Sequence, residues 1–133
     1  MTGPIRVPDD TAAAVAEFLR AALVGRFSSA PTVGLVLPQD WSPKNAPAVV
    51  VFDDGGPSEW PIVTEPRIRV TVWASGRTLA RQVAAACVGL LLSRDVPRVA
   101  TVRDPSSILD ARDDNGGIMA SFTVAVKSRT VVA

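Results

Sequence analysis

Residues 52–66, FDDGGPSEWPIVTEP, carry four carboxylates (Asp53, Asp54, Glu59 and Glu65), two adjacent glycines and no basic residue. Three chemistries could use such a set: a phosphate cradle, a hard-cation site, or a pair of carboxylates working as acid and base. A phosphate cradle needs glycines that lead into a helix, so that free backbone N–H groups face the anion. Here Gly55-Gly56 leads into Pro57 and then toward a strand, no Gly-Lys-Ser/Thr follows, and four negative charges would repel phosphate. A calcium or magnesium loop needs oxygen ligands at alternating positions. Asp53 and Asp54 are adjacent, so an extended chain points them apart, and no Asp-x-Asp-x-Asp-Gly pattern occurs. Residues 110–117, DARDDNGG, offer more oxygens but lack the closing glutamate. Both segments are expected to be hairpin connections, with no metal assigned to either. Acid–base work by Asp53 and Glu59 would require a hydrophobic cleft, which a Gly/Pro-rich tip does not offer.

The rest of the composition points the same way. The chain has no histidine and no tyrosine, which removes the commonest general base and metal ligand. Its single cysteine, Cys87, falls on an apolar helix stripe and has no histidine to activate it. Neither Gly-x-Ser-x-Gly nor Ser-x-x-Lys occurs. The expectation is a non-enzyme without a cofactor. With 14 Lys+Arg against 13 Asp+Glu, no field draws nucleic acid or a membrane surface. The longest apolar run, residues 83–92, is far short of the ~20 residues that span a bilayer. MTGPIRVPDD lacks a signal-peptide core, so the protein is expected to be made and kept inside a cell.

The elements that must position these residues are legible from periodicity. Pro8-Asp9-Asp10 is a helix start, and Val15, Phe18, Leu19, Ala22 and Leu23 recur at helical spacing before Gly25. Three extended segments follow at 32–37, 47–52 and 67–74. PAVVVF reads as a strand buried on both faces, and RIRVTVWA alternates cleanly. A second helix over 78–92 carries the stripe Leu79, Val83, Ala86, Cys87, Leu90, Leu91. Strands are expected at 97–103, 107–112 and 118–129, with a turn at 113–117. The order α-β-β-β-α-β-β-β implies a single domain over 1–133 of the α+β class. One mainly antiparallel sheet has both helices packed on one face.

The opposite sheet face then carries Arg67, Arg69, Thr71, Trp73, Met119, Ser121, Thr123 and Lys127, a mixture suited either to solvent or to another subunit. None of the three tryptophans falls at a clear core position. Trp41 and Trp60 can fold back as lids on the core edge, whereas Trp73, on the outward strand face, is expected to anchor an interface.

The opening PDDTAAAVAEFLRAAL, the passage EPRIRVTVWASGRTLARQVAAACVGLLL and the closing SFTVAVKSR resemble a tail terminator (tail completion) protein of long-tailed, siphovirus-type bacteriophages. The middle passage is the most specific, since a strand of R-x-x-V-x-V-W character runs straight into the second helix through a small-residue turn. The acidic, proline-rich segment from Asp53 to Glu65 departs from the pattern. The resemblance implies a structural virion component located in the tail at the neck and made in the host bacterial cytoplasm. It would form a six-membered homo-oligomeric ring on the last ring of tail-tube protein, end tube polymerisation and meet the head–tail connector or stopper protein. DNA would pass through the lumen without specific binding. A ring needs head-to-tail contacts, and the expected pair is Arg67, Arg69 and Trp73 against a neighbour's Asp53, Asp54, Glu59 and Trp60. Alternatives are another neck protein, such as a connector or stopper, and a small metal-binding protein.

Overall fold

The computed structural model describes residues 3–112 and 116–133. Of the turn expected at 113–117, only the two glycines fall within the described residues. The fold is α+β, with two helices on one face of a mostly antiparallel sheet.

Helix α1, Thr11–Ala22, begins where the two aspartates predict. The Asp10 side chain accepts a hydrogen bond from the Ala13 backbone N–H at 3.1 Å, satisfying one of the free donors of the first turn. Helix α2, Arg77–Ser93, buries Val83, Cys87, Leu90 and Leu91 as expected, together with Ala80 and Ala84. The two alanines are more deeply buried than Leu79 and Ala86. A small side chain lets the helix axis approach the sheet, so that stripe faces inward.

Strand β1, Arg6–Val7, precedes α1, and β2, Thr32–Gly34, follows it. The central strands are β3, Ala48–Asp53, β6, Arg67–Ala74, and β9, Ile118–Arg129. The order runs β2-β3-β6-β9, and among the described residues only the β2–β3 pair is parallel. Beyond β9, its far edge is shared by β8, Leu109–Arg112, which pairs with its first half, and β7, Thr101–Arg103, which pairs near its end. Helix α1 lies over β2 and β3, and α2 over β6 and β9. Val49, Val51, Ile68, Val70, Val72, Ala120, Phe122, Val124 and Val126 meet them from the sheet, following the period-2 alternation.

The structure differs from the sequence reading in three places. Residues 97–100 are not strand: Val99 donates to the Val96 carbonyl, and Arg98 between them sits at φ 72°, so β7 starts only at Thr101. A two-stranded ribbon of β1 with β10, Val131–Val132, ties the two ends of the described chain together.

The third difference concerns the outward sheet face. Parallel pairing of β2 with β3 requires the chain to cross over between them, and residues 35–47 make that crossing. They cover the part of that face formed by Ala48, Val50 and Trp73, which sequence assigns to solvent or a partner. Trp41 is 7% exposed and Trp73 8%, packed with Ala48 and Val50 in a second small core. Leu37, Phe52 and Met119 border it. The expectation that no tryptophan occupies a core position is therefore corrected. Trp41 and Trp73 are core residues of the opposite face, because β3 is apolar on both sides and each side needs a cover.

Candidate interaction surface around the acidic hairpin

Residues 53–67 form an ordered hairpin that prolongs the β3–β6 pair. The Asp54 N–H donates to Arg67 O at 2.9 Å, Arg67 N–H to Gly55 O at 2.8 Å, and Glu65 N–H to Pro57 O at 2.8 Å. Strand β4, Ser58–Glu59, then pairs with β5, Val63–Thr64. The tip is closed by Ile62 N–H donating to Glu59 O at 2.8 Å, around a cis Trp60–Pro61 peptide.

The glycines serve this path rather than an anion. Asp53 Oδ1 accepts from the Gly55 N–H at 2.8 Å, and Gly55 adopts φ +77°. A Cβ on Gly56 would lie 2.2 Å from the Glu65 carbonyl oxygen, so the returning strand passes too close for any side chain.

The hairpin is also held from below. Strand β5 pairs with the end of β9, and Thr130 donates its N–H to Ile62 O at 3.1 Å and its hydroxyl to Pro61 O. Arg6 donates to Thr130 Oγ1 at 2.9 Å and to Thr130 O at 2.6 Å. These bonds gather Ile5, Trp60, Ile62, Val131 and Val132, all exposed, onto elements at the same end of the molecule. Grouped exposed apolar side chains of this kind mark contact surfaces more often than isolated ones do.

The charges divide into used and unused. Asp54 pairs with Arg69 at 3.1 Å, and the Arg69 guanidinium lies 4.2 Å from the centroid of the Phe52 ring. Glu65 is 3.3 Å from Arg103 and 3.5 Å from Lys127. Arg67 is exposed and reaches the Asp104 carbonyl at 3.4 Å. Such exposed pairs stabilise by about 0–1 kcal/mol each, so their main consequence is orientation. Of the residues singled out in sequence, Arg69 and Asp54 meet each other within one chain, and Trp73 lies beneath the crossing loop. Arg67, Asp53, Glu59 and Trp60 remain at the surface, Trp60 being 55% exposed.

Two further clasps escaped the sequence reading, because their partners are far apart in the chain. Arg98 forks onto Asp9, at 2.6 Å and 3.1 Å, and joins the start of α1 to the turn before β7. The hydrogen bond from Arg98 holds the Asp9 carboxyl below its ordinary range, against an opposing contribution from burial. A depressed carboxylate adds stability above its unfolded pKa of about 3.9, lost as pH falls through the lower folded value. Asp9→Asn is therefore expected to be less stable than wild type at pH 7. Urea titrations should show that gap closing below about pH 4; a gap independent of pH would contradict the clasp.

The second clasp bears on the other sequence candidate for metal. Asp110 is gripped by Arg77 at 2.6 Å and Arg81 at 2.7 Å, and hydrogen bonds from Arg81 and Arg77 lower its pKa. It ties β8 to the first turn of α2. Among the described residues, no group of three or more His, Cys, Asp or Glu side chains could hold a metal ion. Cys87 is fully buried and burial pushes its thiol up to about 12, which is the behaviour of a core side chain rather than a nucleophile. Among the described residues, no helix is long and apolar enough to cross a membrane.

No protein-family model matches the chain, and comparison with curated proteins finds no significant match.

Proposed function

We propose that this chain is a structural virion protein of the tail-terminator type. It forms a ring of six copies on the end of a tail tube, stops polymerisation of the tube protein and presents a surface to the head–tail connector. The observation that carries the reading is the path of the central elements. The three sequence passages that resemble terminators form α1, the β6–Ser75–Gly76–α2 passage and the long strand β9. β6 and β9 pair along the full length of β6, with α2 packed across both. The reading is further supported by a surface organised for contact: an ordered projecting hairpin with an exposed tryptophan at its tip and exposed apolar side chains around its base.

The expected consequence of removing the gene from its virus is specific. Filled heads should accumulate without attached tails, and free tails should exceed the normal length, because nothing arrests the growing tube. Electron microscopy of lysates reads both. Free tails of normal length would favour a connector or stopper instead, and normal virions would contradict any neck role.

A further inference from the structure

The acidic hairpin and the start of α1 enclose a cleft, and its lining selects a charge. Asp53 and Asp9 stand in its walls beside the Trp60 indole, with the Ser58 hydroxyl nearby. Thr11 also belongs to the lining. Its hydroxyl oxygen is buried and has no hydrogen-bond partner among the described residues, a costly arrangement unless something supplies one. An anion is disfavoured: Asp10 already caps the first turn of α1, and Asp53, which has no ion pair among the described residues, would repel it, while the charge of Asp9 is taken up by Arg98. A planar cation suits all of these groups. It can lie on the exposed indole face, neutralise Asp53 and donate several N–H groups to hydroxyl oxygens. An arginine does this better than a lysine.

The same end of the molecule presents such a group. Arg129, at the end of β9, is exposed, and its side chain has no ion pair or hydrogen bond among the described residues. It lines one groove with Arg6 and Lys127, next to Ile62, which is 67% exposed, and another with Asp9 and Arg98. The first of these grooves shares no lining residue with the acidic cleft, and the second shares Asp9. We infer that Arg129 of one copy inserts into the Trp60–Asp53 cleft of the next copy. Ile62 and Val131 beside it are the exposed apolar side chains available for burial in that contact. In the proposed ring the arginine of each copy meets the cleft of the next, a heterologous contact in which every copy supplies one donor and one acceptor. Contacts of that type close into rings or run on as filaments. The inference rests on the ring reading and supplies its subunit contact, in place of one built on Arg69 and Trp73.

Sedimentation of the full chain over a concentration series tests it, with two variants that leave the core untouched. Arg129→Glu removes the donor. Asp53→Asn with Trp60→Ala removes the acceptor while keeping an oxygen to accept from Gly55. Wild type should form assemblies larger than a dimer. Each variant alone should self-associate at least about thirtyfold more weakly, the size of a hot-spot loss. Mixed in equal amounts, the two should form dimers and nothing larger, since one intact cleft meets one intact arginine. Arg94→Glu, another exposed arginine whose side chain lacks a partner among the described residues, should associate as wild type does. Variants that assemble normally, a mixture that stays monomeric, or an Arg94→Glu chain as weak as Arg129→Glu would overturn the contact. So would a wild-type chain that remains monomeric throughout. The ring reading is judged separately by arrest of tube growth: arrest that persists in Arg129→Glu removes this contact and leaves the ring standing.

Discussion

Trp73→Ala is expected to lower the stability of the isolated chain by about 3–5 kcal/mol, the usual range for deleting a buried aromatic side chain. The size follows from its surroundings. Trp73 is packed against Trp41, Ala48 and Val50 beneath residues 35–47, and Trp41 is itself fixed by donating its indole N–H to the Ala46 carbonyl at 2.9 Å. Removing the Trp73 ring takes away the surface on which that crossing loop rests, so the loop should loosen with it. Urea denaturation measures the loss, and faster amide exchange across 35–47 would localise it. A loss below about 1 kcal/mol, accompanied by failure to self-associate, would instead make Trp73 an interface anchor.

Gly56→Ala is expected to cost about 1–3 kcal/mol, and more than Gly55→Ala, although Gly55 is the one with positive φ. A methyl group at Gly55 meets nothing within 4 Å and carries only the left-handed backbone penalty of about 1–2 kcal/mol. At Gly56 it would sit 2.2 Å from the Glu65 carbonyl oxygen, which is backbone and cannot swing aside. The Glu65–Pro57 and Arg67–Gly55 hydrogen bonds must then lengthen, and the hairpin tip moves with them. Thermal denaturation ranks the two variants, and chemical-shift changes confined to residues 53–67 would show where the strain falls. Equal stabilities for the two would mean that the close crossing at Glu65 is not maintained in solution.

These two residues also show what the sequence could and could not reveal. Strands 67–74 and 118–129 were readable to the residue because their alternation is strict and their apolar face is covered by helices. Helix α1 was readable from Asp10, whose cap is local. Trp73 was misplaced because the loop that covers it is distant in sequence and has no periodicity of its own. A signal was nevertheless present: four consecutive apolar residues at 48–51 imply a strand covered on both faces, and the helices cover only one. The glycines at 55 and 56 were legible as turn residues, but the reason Gly56 is needed is an approach between two backbone segments that only the fold brings together. The ion pairs Asp54–Arg69, Glu65–Arg103 and Asp9–Arg98 join residues far apart in the chain and were invisible for the same reason. The hairpin therefore presents fewer free charges than its composition suggests, and its tip presents Trp60.

In the proposed function, copies of this chain close into a ring on the end of a tube. Tail-tube subunits, polymerised with and without the purified chain, test it in one preparation imaged by electron cryomicroscopy. Shorter tubes are expected when the chain is present, one end of each closed by a six-fold ring of added density, with the acidic hairpin of each copy touching its neighbour. Tubes of unchanged length with bare ends would contradict it.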